Sequence, residues 1–317
     1  MINAKVICDS VSPSGERLTT VEVELHRFIL PELNTHRVFS RNYQSSRAVP
    51  VQKMIDQVMN NPAIPVHWGK NQAGMVADEE SNALVMWEWE VSEHEGNSGY
   101  AAGTAEESWK YAASNAGLMA QAMHDAGYHK QIVNRLLEPF MWTKGIITAD
   151  QKGWDSFFAL RCHPDAQPEI QALAYEIRDV MEESTPRKLE YGQWHLPYVE
   201  APELYCTKEF GSKVLEEYIK ISTSCTAQVS YRRLDDSLEK AEKIYEMLNL
   251  PEGGEYKDDP PHFSPAEHVA KCVEDRLEIG NWSYSVAALS GNFNTNNFVQ
   301  YRKALEVGIE KELIDGD

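Results

Sequence analysis

Apolar residues between positions 168 and 181 recur at Ile170, Leu173, Ala174, Ile177, Val180 and Met181, the spacing of one continuous helix face. A stripe of that length has to be covered by another element. Earlier in the chain the period shortens. Residues 4–8 and 20–25 read as strands that flank a Ser-Pro-Ser-Gly turn at Ser12 to Gly15. The same signals predict helices over about 31–40, 52–59, 105–126, 212–222 and 237–248, with Asn61-Pro62 stopping the second. Residues 67–103 are mixed, with loops marked by Trp68-Gly69-Lys70-Asn71 and Gly74, and 251–261 is a loop. No repeat and no clear linker divides the 317 residues, so one domain is expected.

A net charge of −19 argues against a nucleic-acid polymer or an acidic membrane as partner, because either needs a basic face. A small anion held by a few clustered Arg residues stays compatible with it. Cys8, Cys162, Cys206, Cys225 and Cys272 are scattered and form no C-x-x-C pair, so neither a metal centre nor a redox dithiol is expected. Reduced cysteines suit a cytoplasmic protein. The first nine residues lack the pattern of a signal peptide, and no run reaches membrane-spanning length.

Thr35-His36-Arg37-Val38-Phe39-Ser40-Arg41-Asn42, continued by Tyr43-Gln44-Ser45-Ser46-Arg47, is a dense polar segment. It follows the apolar run Phe28-Ile29-Leu30 and carries one imidazole, three guanidiniums and three Ser hydroxyls. Planar Arg forks suit phosphate and imide groups, and Ser supplies small donors. The pattern also fits a solvated helix face followed by a turn. Arg135, in Asn134-Arg135-Leu136-Leu137-Glu138-Pro139, is placed either to hold a ligand or simply to pair with Glu138. Arg161 closes the apolar run Phe157-Phe158-Ala159-Leu160, so it either snorkels from a helix end or holds an anionic heterocycle. His262-Phe263-Ser264-Pro265-Ala266-Glu267-His268 reads as a helix start with a Ser264–Glu267 capping box, whose free N–H groups suit an anion. No G-x-G-x-x-G, P-loop or H-E-x-x-H occurs, and Cys162 beside His163 reads as structural.

Together these segments resemble the flavin-dependent thymidylate synthase family. Its R-H-R-x-x-S-x-N-E-x-S-x-R-Y signature is similar to T-H-R-V-F-S-R-N-Y-Q-S-S-R-A from Thr35 to Ala48. Its A-R-x-x-L-P resembles Asn134 to Pro139, and its L-R with a following A-Q-x-E-I resembles Leu160-Arg161 and Ala166-Gln167-Pro168-Glu169-Ile170. Its A-R-V-S-Y resembles Ala227-Gln228-Val229-Ser230-Tyr231, and its H-x-S-P-F-E-H resembles His262 to His268. The last two come first in the usual family chain. The order therefore implies a circular permutation, with the family's later motifs in 1–183, the former ends joined through 184–224, and its first motifs in 225–317. Residues 1–9 and the segment near 298–302 are then expected in or beside one sheet.

The resemblance implies an α+β fold with a central, mostly antiparallel sheet and helices packed around it. It implies FAD as cofactor, NADPH and methylenetetrahydrofolate as co-substrates, and a homotetramer whose sites draw on several chains. FAD would be held by Thr35, His36, Arg37, Val38, Ser264 and Glu267, with Thr148, Asp150 and Ser156 at further flavin positions. Deoxyuridylate (dUMP) would lie on Gln44, Ser45, Ser46 and Arg47, with Arg135 joining from another subunit and Arg161 facing the uracil as the catalytic residue. Thr35 stands where the family has Arg, Tyr43 where it has Glu, and Ala48 where it has Tyr. The implied reaction is reductive methylation of dUMP. The alternatives are 5-hydroxymethylation at the same site, and a flavin- or nucleotide-binding protein without turnover.

Overall fold

A computed structural model describes residues 1–90, 98–200, 211–230 and 234–315. The N-terminal strands form as expected. β1 (Asn3–Val11) and β2 (Arg17–His26) make an antiparallel hairpin whose turn is closed by Ser12 N–H donating to the Glu16 carbonyl at 2.8 Å. Gly15 takes a φ of +91° there, which only glycine adopts without strain.

The helix expected over 31–40 does not form. α1 (Leu30–Leu33) is a single turn, and Ser40 already belongs to β3 (Ser40–Tyr43). The Arg41 side chain is the reason. Its guanidinium donates to the carbonyls of Asn34, His36 and Phe39 at 3.2, 2.9 and 3.1 Å, and to Asn34 Oδ1 at 2.8 Å. All three carbonyls lie within the predicted span, and the fork holds the segment in turns.

α2 (Val51–Asn60) starts after Pro50. β4 (Val85–Glu90) pairs antiparallel with β5 (Ser98–Gly103). α3 (Ala105–Asp125) opens on a capping box between Thr104 and Glu107, and the single turn α4 (Lys130–Val133) follows it. A 3-10 segment, Asn134–Phe140, leads into β6 (Trp142–Asp150), then α5 (Gln151–Arg161) and α6 (Pro168–Glu183). Two short strands, β7 (Arg187–Lys188) and β8 (Trp194–His195), precede α7 (Gly211–Ala227) and α8 (Leu238–Met247). The C-terminal part holds β9 (Ala270–Cys272), β10 (Arg276–Ile279), β11 (Trp282–Ser285), α9 (Val286–Leu289), β12 (Phe298–Gln300), α10 (Tyr301–Val307) and α11 (Glu310–Asp315).

Helices and strands mix as expected, but the β structure is shared among several sheets rather than gathered into one. The principal sheet has the order β3-β6-β2-β1-β7, antiparallel except between β1 and β7. A second, antiparallel sheet runs β12-β9-β8. The segments 1–9 and 298–302 thus lie on two different sheets. These adjoin: Leu18 and Phe298 share one apolar cluster, and Ser14 Oγ donates to Asn297 Oδ1.

The stripe on α6 does what its spacing requires. Ile170, Leu173, Ala174, Ile177 and Met181 are buried against Val21, Val23 and Ile147 of the principal sheet. Each large aliphatic side chain covered this way contributes about 1.5–3 kcal/mol of burial. A separate apolar core draws its buried residues from positions 194 to 313, chiefly around Trp194, Ile219 and Tyr301. No helix among the described residues is long and apolar enough to cross a membrane.

Candidate functional site

Three groups of the expected residues lie along the segment from α1 to α2. The first surrounds Arg161, at the last turn of α5. Its Nε donates to His36 Nε2 at 2.9 Å, Nη1 reaches Glu32 Oε2 at 3.4 Å, and Nη2 reaches Thr35 Oγ1 at 3.4 Å. His36 must be neutral to accept. Burial holds its imidazole down to about 4, and the nearby charges of Arg161 and Arg41 push the same way. Its ring also packs edge-on against Phe157, at 5.0 Å between centroids. Thr35 Oγ1 in turn donates to the Glu32 carbonyl at 2.7 Å.

The second group is a recess of about 340 Å³ lined by Arg37, Phe39, Arg41, Ser264, Glu267 and Asn292. Arg37 is exposed, and among the described residues its side chain makes no hydrogen bond or ion pair. Val38 is exposed beside it, over the first turn of α5 at Gly153. The expected Ser264–Glu267 capping box is absent. Ser264–His268 is a five-residue 3-10 turn whose cap position is Phe263 and has no side-chain bond. Glu267 instead pairs with Arg302 and accepts from Asn292 Nδ2 at 3.4 Å, so its carboxylate is drawn away from the Ser264 end.

The third group follows β3. Gln44 N–H donates to the Lys144 carbonyl at 2.8 Å, which carries the chain off the sheet edge. Ser45 then accepts the Arg47 N–H at 3.3 Å, and Arg47 points out exposed with no side-chain partner among the described residues. Ser46 is buried and donates to Glu138 Oε1 at 2.9 Å. The same carboxylate takes Arg135 Nη1 at 2.9 Å and Arg27 Nη2 at 3.3 Å. Asn134 Nδ2 locks the bend by donating to the carbonyls of Ser46 and Val49 at 2.6 and 3.1 Å. Ser46 and Arg135 of one chain thus share the Glu138 carboxylate.

Tyr43, at the end of β3, turns into the sheet. It stands opposite Gly145 of β6, where a Cβ would overlap its ring, and its buried hydroxyl has no partner among the described residues. The missing side chain at Gly145 is what makes room for the aromatic ring.

Three expected flavin residues are not gathered here. Thr148 is fully buried in a chain of polar contacts between the two larger sheets. The chain runs from Ser10 Oγ to His195 Nδ1 at 2.9 Å, His195 Nε2 to Thr20 Oγ1 at 2.8 Å, Thr20 to Thr148 at 2.7 Å, and Thr148 to His268 Nδ1 at 2.8 Å. Asp150 caps α5, its Oδ1 accepting from Gly153 N–H at 2.9 Å, and burial raises its pKa. Ser156 is exposed on α5. Of the 227–231 motif, Gln228 clamps Asp235 through both its amide atoms, while Tyr231 lies outside the described residues, as does Cys206. Burial raises the thiol pKa of Cys162, consistent with a structural residue.

Sequence reading passed over Arg27, Glu32, Asn134 and Arg41 as site-building residues. Asn134 lies in the Asn134-Arg135-Leu136-Leu137-Glu138-Pro139 segment and Arg41 in the Thr35 to Arg47 run, so their neighbourhood was the available signal. Arg27 and Glu32 carried none.

A family model described as thymidylate synthase complementing protein matches residues 12–187, more than half of the chain. Among solved structures, a UMP/dUMP methylase, PolB, from Streptomyces cacaoi bound with 5-Br UMP is 17% identical. That match covers 58% of this chain and 89% of that one, with a TM-score of 0.39. No curated protein matches.

Proposed function

From the premise that this chain belongs to the flavin-dependent thymidylate synthase family of methyltransferases, we propose that it converts dUMP to thymidylate. The one-carbon unit would come from methylenetetrahydrofolate and the hydride from NADPH by way of FAD. The observation that carries this reading is the placing of two kinds of group along one segment. Exposed Arg47 and buried Ser46 stand at one end, and Arg161 with neutral His36 at the other.

The residues present fit a flat anionic cofactor at the Arg37 recess. Arg37 is exposed without a partner among the described residues, and Ser264 lines the same recess. Thr35, His36, Arg37, Val38, Ser264 and Glu267 would hold FAD, with Asp150, Ser156 and the fully buried Thr148 at further flavin positions. When bound, the flavin supplies hydride chemistry that no side chain provides. Gln44, Ser45, Ser46 and Arg47 would hold the nucleotide phosphate and sugar, with Arg135 joining from another subunit. Arg161 would donate to the uracil imide edge, where a fixed cation stabilises the charge that develops as C5 attacks. His36, Thr35 and Glu32 keep its fork oriented for that task.

We extend the proposal to a homotetramer, a permuted chain order and a cytoplasmic setting, as the resemblance implies. Exposed Arg37 and Arg47 suit an assembly in which neighbouring chains complete each site.

A second reading keeps the site and changes the product to 5-hydroxymethyl-dUMP. Thr35 and the inward-turned Tyr43 favour it, since each removes an ionic group that the family places there. The visible spectrum of purified protein, before and after dUMP is added, tests the first claim. A colourless protein that no flavin reconstitutes would refute it. Product mass separates methyl from hydroxymethyl by one oxygen. Yellow protein that never oxidises NADPH with dUMP and folate supplied would leave only a binding function.

A further inference from the structure

We propose that a recess of about 440 Å³ between α7, α8 and the C-terminal helices α10 and α11 is a second binding site, one that takes a linear aliphatic diamine or longer polyamine. Its lining includes none of the residues assigned to flavin or nucleotide, so the proposal stands apart from the function above.

The carboxylate of Glu310, at the start of α11, lines this recess and is the group that points to a ligand. Glu310 is only 4% exposed. Its Oε1 accepts from Gly253 N–H at 2.5 Å, which holds the carboxylate in place. The loop carrying Gly253 is pressed against Gly308, where a Cβ would overlap the Gly253 backbone. Oε2 is buried and has no hydrogen-bond partner among the described residues. A buried carboxylate oxygen without a donor is costly, and a donor brought by a ligand removes that cost.

The surroundings specify the class of donor. The lining carries six carboxylates against four lysines, so the recess favours a cation. One of those lysines, Lys220, is already paired with Glu216 at 2.6 Å, and its ammonium stands 5.7 Å from the centroid of the Tyr245 ring. That ring face therefore accommodates a cation. The Tyr245 and Tyr301 hydroxyls bond each other at 2.7 Å, and burial pushes both phenols up, so they stay neutral and keep lone pairs for an ammonium. Leu305 and Ile314 add apolar surface for a methylene stem. Glu242 and Glu246 line the same recess, exposed one turn apart on α8 and without an ion-pair partner among the described residues. One ammonium on Glu310 Oε2 and another on this exposed pair, joined by an apolar stem, describe a diamine. A bare metal ion fits less well, since no metal-holding group of side chains occurs among the described residues.

Calorimetry at neutral pH with cadaverine, pentylamine and pentanoate tests it, on wild-type protein, on Glu310→Gln and on the double variant Glu242→Gln with Glu246→Gln. Glutamine at 310 keeps an oxygen for Gly253 N–H and removes only the charge. We expect both amines to bind wild type, and Glu310→Gln to weaken both by about tenfold to a hundredfold. The double variant should weaken cadaverine by about threefold and leave pentylamine unchanged. Pentanoate should not bind. No heat and no shift in melting temperature with millimolar cadaverine would overturn the proposal. So would pentanoate binding as tightly as pentylamine. An unchanged cadaverine constant in Glu310→Gln with wild-type melting temperature would reduce Glu310 to an anchor for the Gly253 loop and end the proposal too. If Glu310→Gln does not fold, the double variant decides, because it alters only exposed side chains: a cadaverine constant equal to that of wild type would sink the site.

Discussion

Acid should unfold this protein through two buried histidines well before its carboxylates titrate. His195 and His268 are fully buried in the contact chain between the sheets, and desolvation holds both imidazoles down to about 3. The Arg187 charge adds to this at His195, whereas the buried His268 Nε2 has no hydrogen-bond partner among the described residues. An unfolded imidazole titrates near 6.5, so below that pH the unfolded chain binds protons that the folded chain refuses. The stabilisation is complete above about pH 6.5 and is lost as pH falls towards about 3.

The magnitude depends little on the folded value. Near pH 5 an unfolded imidazole is almost wholly protonated and a folded one almost wholly neutral. The loss is then about 2 kcal/mol per histidine relative to pH 7.5, or about 4 kcal/mol for the pair. His36, held down to about 4, adds in the same direction. Against a typical stability of about 5–15 kcal/mol this is a large share. Urea unfolding near pH 7.5 and near pH 5, at constant salt, measures it. His195→Gln and His268→Gln should each remove about 2 kcal/mol of the pH-dependent loss, whatever they cost at neutral pH. Equal unfolding free energies at the two pH values in wild-type protein would refute the reasoning. So would a double variant that keeps the full wild-type slope.

Gly145→Ala should cost about 1–3 kcal/mol, because the new methyl overlaps the Tyr43 ring and β3 must shift; an unchanged melting temperature would show that the ring moves freely. Arg47→Ala should weaken dUMP binding by about tenfold to a hundredfold, the loss of one charge-assisted contact. A dissociation constant equal to wild type would remove Arg47 from the cradle. Arg161→Ala should stop turnover while the flavin absorbance is retained, and loss of the flavin in that variant would reassign Arg161 to cofactor binding.

Local chemistry made much of this protein legible in its sequence. The period of 170–181 specifies which face of α6 is buried, and the Ser-Pro-Ser-Gly turn specifies the first hairpin, because both depend on residues within a few positions of each other. The polar run from Thr35 to Arg47 and the Arg161 helix end were visible for the same reason. The structure then placed Arg161 against His36 across 125 positions.

What tertiary structure alone decided are the meetings of distant or competing groups. Arg41 takes the carbonyls that a helix over 31–40 would have used, a competition that propensity does not register. Thr148 sits on a strand like any other, and only the apposition of two sheets buries it beside His268. Arg27 and Glu138 carry no shared pattern, yet the fold brings them to one side of Ser46. Sequence period records which face a residue takes. Which charge lies opposite that face is decided by the packing of whole elements, as where Arg27, Arg135 and Ser46 converge on Glu138.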